Sequence, residues 1–248
     1  AYLRPFPPIV YTSSVKKHGK ELSPMISLTI RQKTVDIFPA NEPNSPAIYL
    51  NTYGHEGRDV YECLQAGGCR DFSLIAVSDL SWDHDMAPWE IPPISKNDTP
   101  CTGGADDYLT LLLESILPEA EKHLPGAPSW RGLAGYSLAG LFAVYAIYKT
   151  DVFSRIASMS GSLWFPDFQA FVFSHTPLKA PDCMYFSLGS KEDKTRNPFL
   201  QPVRQNTQAI EAFFKSRGIE TVFEINPGNH FQHALERSAA GLLWILNR

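Results

Sequence analysis

The sequence predicts an α/β domain with three layers, α/β/α, built on a mostly parallel central sheet. Two observations lead there. From residue 25 onward, strand-length apolar runs alternate with segments of helical periodicity, the pattern of a sheet covered by helices on both faces. The chain has 248 residues, 44% of them hydrophobic and 19% charged, a globular composition at the upper end of what one core supports. A single domain over residues 25–248 follows, with residues 1–24 as an N-terminal extension packing on it.

The elements are justified in turn. Residues 26–31 and 34–38 read as two β-rich runs around Gln32-Lys33, an antiparallel pair at the sheet edge, closed by the punctuating run 39–46. Residues 47–50 and 72–77 are short apolar strands, and between them residues 59–65 form a short helix ended by Gly67-Gly68. Residues 78–104 lack periodicity and are crowded with Trp, Pro and Asp, so they form a long loop, a class that is usually functional inside a domain. Residues 105–123 place Tyr108, Leu112 and Ile116 at helical spacing behind Asp106-Asp107, with Pro118 expected to kink the helix. A strand at 129–134, a helix at 138–149 and strands at 155–160 and 184–188 follow. A helix at 199–217 with Gly218 as its cap, a strand at 219–225 and a helix at 235–246 complete the chain.

Charge and composition exclude several classes. Lys and Arg total 22 against 26 Asp and Glu, a formal net charge of −4 with no basic run, so neither nucleic acid nor an anionic membrane surface is an expected partner. No apolar stretch approaches the roughly 18 residues a bilayer requires. The first residues lack the basic start and apolar core of an intact signal peptide. Four cysteines, Cys63, Cys69, Cys101 and Cys183, form no C-x-x-C pair and are too sparse for a disulfide scaffold, which makes a reducing, cytoplasmic setting the expectation.

The chemistry is carried by Gly135-Tyr136-Ser137-Leu138-Ala139-Gly140 between a strand and a helix. A nucleophile elbow needs this context, because the serine sits in a strained turn and small residues two positions to either side avoid a clash across it. Gly135 and Ala139 fill those places. An α/β-hydrolase orders its triad as nucleophile, acid and histidine, with the acid after a later strand and the histidine after the last. Glu192 and Asp193 both follow the strand at 184–188, the spacing from Gly189 favouring Glu192, and His230 follows the strand at 219–225. Acyl transfer through Ser137, with His230 as base and Glu192 as the orienting acid, is the resulting expectation. Leu138 N–H supplies one oxyanion donor, and the turn Tyr53-Gly54-His55 supplies the other, with Gly54 and His55 as candidates.

Four segments in this order, Gly103-Gly104-Ala105-Asp106-Asp107-Tyr108, the elbow, Ser160-Gly161-Ser162-Leu163-Trp164-Phe165 and Gly228-Asn229-His230-Phe231, resemble the putative esterase family of α/β-hydrolases. That family includes esterase D and the enterobactin-type siderophore esterases. The resemblance runs from about residue 25 to the C-terminus and implies the α/β-hydrolase fold, a carboxylic-ester substrate, and roles for Ser137, His230 and an acid in the Glu192 slot. The segment from Ser160 to Phe165 is most similar to the siderophore-esterase branch. Ala139 departs from the second glycine of the usual elbow.

Tyr136, Trp164, Phe165 and Trp89 are candidate substrate-binding residues on the C-terminal rim of the sheet, with edge packing the competing reading for Trp164 and Phe165. The string Trp82 to Asp85 lacks metal-ligand spacing, and His233 lacks companions, so neither a metal nor an organic cofactor is expected. The connection 161–183 is too short for a separate cap domain, which suits bulky or polar esters. Thioester hydrolysis or acyl transfer by the same triad is the alternative reaction, and a non-catalytic ligand-binding protein the alternative class. The aromatic content, 12%, serves a pocket or a homo-oligomer interface equally.

Overall fold

The computed structural model describes residues 25–248, so the predicted N-terminal extension at 1–24 lies outside the described residues. Strands β1 (Ile26–Ile30) and β2 (Lys33–Phe38) pair antiparallel. Arg31 and Gln32 join them with φ of 49° and 67°, the left-handed pair whose twist matches that of a two-residue hairpin. Strands β3 (Ala47–Asn51), β4 (Ser73–Ser78), β7 (Arg131–Tyr136), β8 (Arg155–Met159), β9 (Cys183–Gly189) and β10 (Glu220–Asn226) complete an eight-stranded sheet ordered β1-β2-β4-β3-β7-β8-β9-β10. Only the β1–β2 and β2–β4 pairs are antiparallel; the remaining pairs are parallel. Strand order reverses at β3, with β4 on one side and β7 on the other, and open α/β sheets bind ligands at such a switch point.

Both faces of the central strands are buried. Tyr49, Ile75, Leu133, Ile156 and Phe186 point into one core, while their neighbours Ile48, Leu74, Ala134, Ala157 and Tyr185 point into the other. Helices α1 (Gly57–Ala66) and α8 (Ala234–Leu246) cover the second face. The first is covered by α3 (Ala105–Leu111), α5 (Leu138–Ala146), α6 (Phe168–Ser174) and α7 (Val203–Ser216). Every residue of α5 is buried, so this helix behind the elbow runs through the core rather than across the surface. No helix among the described residues is long and apolar enough to cross a membrane.

Three elements differ from expectation. The segment 78–104 is folded rather than structureless: it holds the helical turn α2 (Trp82–Asp85) and a strand pair, β5 (Glu90–Ile91) with β6 (Cys101–Thr102). Gly104 N–H donates to His84 O at 2.8 Å and Ala105 N–H to Ala87 O at 3.1 Å, closing the segment on itself. Pro118 does more than kink its helix. The chain widens into a π-helical segment, Leu112–Ile116, before resuming as α4 (Leu117–Glu121), and Leu117 N–H reaches back five residues to Leu112 O. The proline lacks an N–H and its ring crowds the carbonyl four residues back, so the wider turn relieves the contact. Helix α7 begins at Val203 rather than 199, behind Pro202, whose fixed φ suits a helix start and leaves Leu200 free of the helix.

Candidate active site

Ser137 sits between β7 and α5 with φ of 59° and ψ of −125°, a conformation L-residues avoid. A Cβ on Gly135 would lie 2.4 Å from Ala139 C and 2.5 Å from its Cβ, so the elbow closes only because residue 135 has no side chain. Ser137 N–H is held by Met159 O at 3.1 Å and Ser137 O accepts from Ser162 N–H at 3.0 Å, fixing the turn to the end of β8.

The serine, the imidazole and the carboxylate meet. Ser137 Oγ lies 3.0 Å from His230 Nε2, and His230 Nδ1 lies 2.8 Å from Glu192 Oε2. Asp193 turns away onto Arg204, 2.9 Å from its Nε, and of the two carboxylates in the turn it is Glu192 that touches His230. Close approach of the β9 and β10 loops requires Gly189, where a Cβ would stand 2.6 Å from Gly228 O. Asn229 Oδ1 accepts from Phe231 N–H at 2.9 Å and Gln232 N–H at 3.2 Å, a local side-chain turn that orients the loop carrying His230.

Beneath the carboxylate lies a polar network. Glu192 Oε1 accepts from Gly189 N–H at 2.5 Å and from the Ser160 hydroxyl at 2.6 Å. Arg237, its side chain wholly buried, donates from Nη1 to Ser160 Oγ at 2.8 Å and stands 3.4 Å from Glu192 Oε1. The same nitrogen donates to the Tyr136 hydroxyl, which in turn donates to His230 O at 2.7 Å. Burial acts to raise the Glu192 carboxyl's pKa, but the His230 hydrogen bond and charge, together with Ser160 and Gly189, outweigh it and hold the group below its ordinary range. The sequence reading missed Arg237 and Ser160. A signal existed for the first, an arginine within the apolar face of the last helix.

A cleft of about 720 Å³ opens over Ser137 and His230. Leu138, Tyr136 and Trp164 line it, and so does Tyr53. Other expected residues fall elsewhere. Phe165 is 1% exposed, a core residue, and Trp89 is half-buried against Phe165, Phe168 and Phe171, with its Nε1–H donating to Pro166 O at 3.2 Å, so neither lines the cleft. Gly54 N–H is taken by the Glu56 carboxylate at 3.0 and 3.2 Å, and the His55 ring binds Ser78 Oγ at 3.0 Å outside the cleft. Of that turn only Tyr53 faces the cleft, and its N–H has no hydrogen-bond partner among the described residues.

On a doubly wound sheet of this topology, a serine on a strained strand-to-helix turn in contact with a carboxylate-backed imidazole defines a serine hydrolase of the α/β-hydrolase class. Residues 53–239 match the profile of the putative esterase family, and the chain belongs to that family. It is a carboxylic ester hydrolase. Bacillus subtilis (strain 168) YbbA is 21% identical over 215 residues, 82% of this chain and 86% of YbbA. The siderophore enterobactin esterase of Emericella nidulans is 30% identical over 136 residues, 50% of this chain and 43% of that protein. Among solved structures, siderophore hydrolase EstA from Aspergillus nidulans superposes with a TM-score of 0.74 at 18% identity, covering 96% of this chain and 99% of EstA.

Proposed function

We propose that Ser137 is the nucleophile, His230 the general base and acid, and Glu192 the carboxylate that fixes the imidazole tautomer, in the hydrolysis of bulky, polar esters of the siderophore type. The observation that carries this reading is the unbroken contact chain from Ser137 Oγ through His230 to Glu192. Oγ attacks the ester carbonyl as Nε2 takes its proton; the alcohol leaves with that proton and the acyl group stays on Ser137. Water then attacks the acyl-enzyme with His230 again as base, releasing the acid. Leu138 N–H, at the start of α5 where a helix leaves its donors unpaired, and Tyr53 N–H receive the developing oxyanion. A wide, open cleft whose mostly apolar walls carry a few polar and acidic groups, with only the short helix α6 between β8 and β9, favours bulky substrates over a buried acyl chain. The names of the Emericella and Aspergillus proteins support the siderophore type. Four free cysteines support a reducing, cytoplasmic setting.

Treatment with a fluorophosphonate probe followed by peptide mapping, alongside hydrolysis of p-nitrophenyl acetate, tests the assignment. A single adduct on Ser137 that is lost in His230→Ala is the expected result. Folded protein that takes no adduct and turns over no ester overturns it.

A further inference from the structure

The cleft over Ser137 is charged as well as deep. Glu56, Asp59, Asp83 and Asp98 line it, and among the described residues no lysine or arginine does. None of the four is ion-paired among the described residues. Glu56 accepts from the Gly54 N–H and Asp83 from the Thr99 hydroxyl, neutral donors that leave both negative charges intact. Four carboxylates around one opening, without an ion-pair partner among the described residues, concentrate cations there and repel anions.

Aromatic faces stand beside these charges. Tyr53 is 74% exposed and Phe231 87%, while Trp82 meets Tyr53 edge to face at 5.2 Å and also lines the cleft. Exposed rings of this size are ordinarily covered, and their negative faces attract ammonium groups. A third observation is independent of both. Asn51 lines the cleft, is 1% exposed, and has an Nδ2 amide without any hydrogen-bond partner, its Oδ1 being occupied by the Tyr108 hydroxyl at 2.5 Å. A buried donor left open beside a ligand cleft still lacks its acceptor, which a ligand oxygen or an ordered water supplies.

We propose that this cleft selects esters that also bear a positive charge, as a protonated amine or a quaternary ammonium group. The carboxylates and rings take the cation, Asn51 offers its amide to an oxygen of the ligand, and Ser137 attacks the ester carbonyl. The inference rests on the ester-hydrolase reading and narrows its substrate class.

The test compares kcat/KM for three acetate esters: acetylcholine, its neutral isostere 3,3-dimethylbutyl acetate, and the anionic 3-acetoxypropanoate. The cationic ester should exceed the neutral one by about tenfold and the anionic one should trail both, with the spread shrinking as salt is raised. Asp59→Asn combined with Asp83→Asn should narrow the spread. Binding of choline against 3,3-dimethylbutanol, followed through the fluorescence of the cleft tryptophans, gives a second readout that needs no turnover. Equal kcat/KM for the three esters overturns the charge selection and leaves ester hydrolysis intact. Tighter choline binding without hydrolysis of any ester upholds the selection and overturns the hydrolase assignment. Neither turnover nor choline preference overturns both.

Discussion

Replacing Arg237 with methionine isolates the role of a charge buried behind the contact chain of Ser137, His230 and Glu192. The guanidinium is 0% exposed, the Glu192 carboxylate 5%, and Nη1 and Oε1 are 3.4 Å apart. At that distance and an effective dielectric near 20, the charges attract by about 5 kcal/mol before desolvation is counted. Methionine keeps most of the volume but leaves the carboxylate without its cation, and removing one member of a buried pair typically costs about 3–5 kcal/mol. Glu192 retains Ser160, Gly189 and His230, which places the expected loss near the lower end of that range. For a chain of this size such a loss lowers Tm on the order of 10 °C. Ser160 and Tyr136 also lose their shared donor, so His230 shifts and kcat falls, about 10²-fold for a displacement near 1 Å, with KM little changed. Urea denaturation gives the stability and steady-state hydrolysis of p-nitrophenyl acetate gives the kinetics, with Arg237→Lys expected to restore part of both. Stability within about 0.5 kcal/mol of wild type, with kcat unchanged, refutes the argument.

Further outcomes follow from the same geometry. Ser137→Ala and His230→Ala should each lower kcat by about 10⁴–10⁶-fold and the double variant by little more, because the two act as one unit; additive losses measured by single-turnover kinetics would contradict this. Trp164→Ala should raise KM with a small stability change, whereas Phe165→Ala should cost about 3–5 kcal/mol of stability in urea melts and leave KM of the folded fraction near wild type. Glu192 is held below its ordinary value of 4.5, so its ionisation stabilises the fold above that value and the contribution is lost as pH falls through the lowered one. Stability measured from pH about 6 down to about 3 should therefore fall less steeply in Glu192→Gln than in wild type.

Most of the fold was legible because its signals are local. Apolar runs and turn residues mark each strand of the parallel sheet, and Gly135 with Ala139 marks the elbow through a steric requirement that the backbone confirms. The order of serine, acid and histidine along the chain brings them to one rim because parallel strands end on the same edge. What escaped depends on orientation rather than order. Trp89 and Phe165 lie on segments near the cleft, but Trp89 packs on Phe168 and Phe171 of α6 and Phe165 packs on Trp89, away from it. Periodicity does not report that the Gly54 N–H is occupied, because its partner is the Glu56 carboxylate folding back onto the turn. Arg237 lies 45 residues from Glu192, and only the packing of α8 against the sheet makes them partners.

Tyr136 stands immediately before Ser137 in the chain, yet its hydroxyl touches the His230 carbonyl and the Arg237 guanidinium, which reaches Ser160 and Glu192. The loops after β7, β8, β9 and β10 are thereby closed into one ring of contacts. Such a ring opens as a unit: fraying of any one loop releases the others, so their amide protons should exchange with solvent at a common rate. The rim should then behave as a single cooperative body, with a substitution in any one of these loops speeding exchange in the other three.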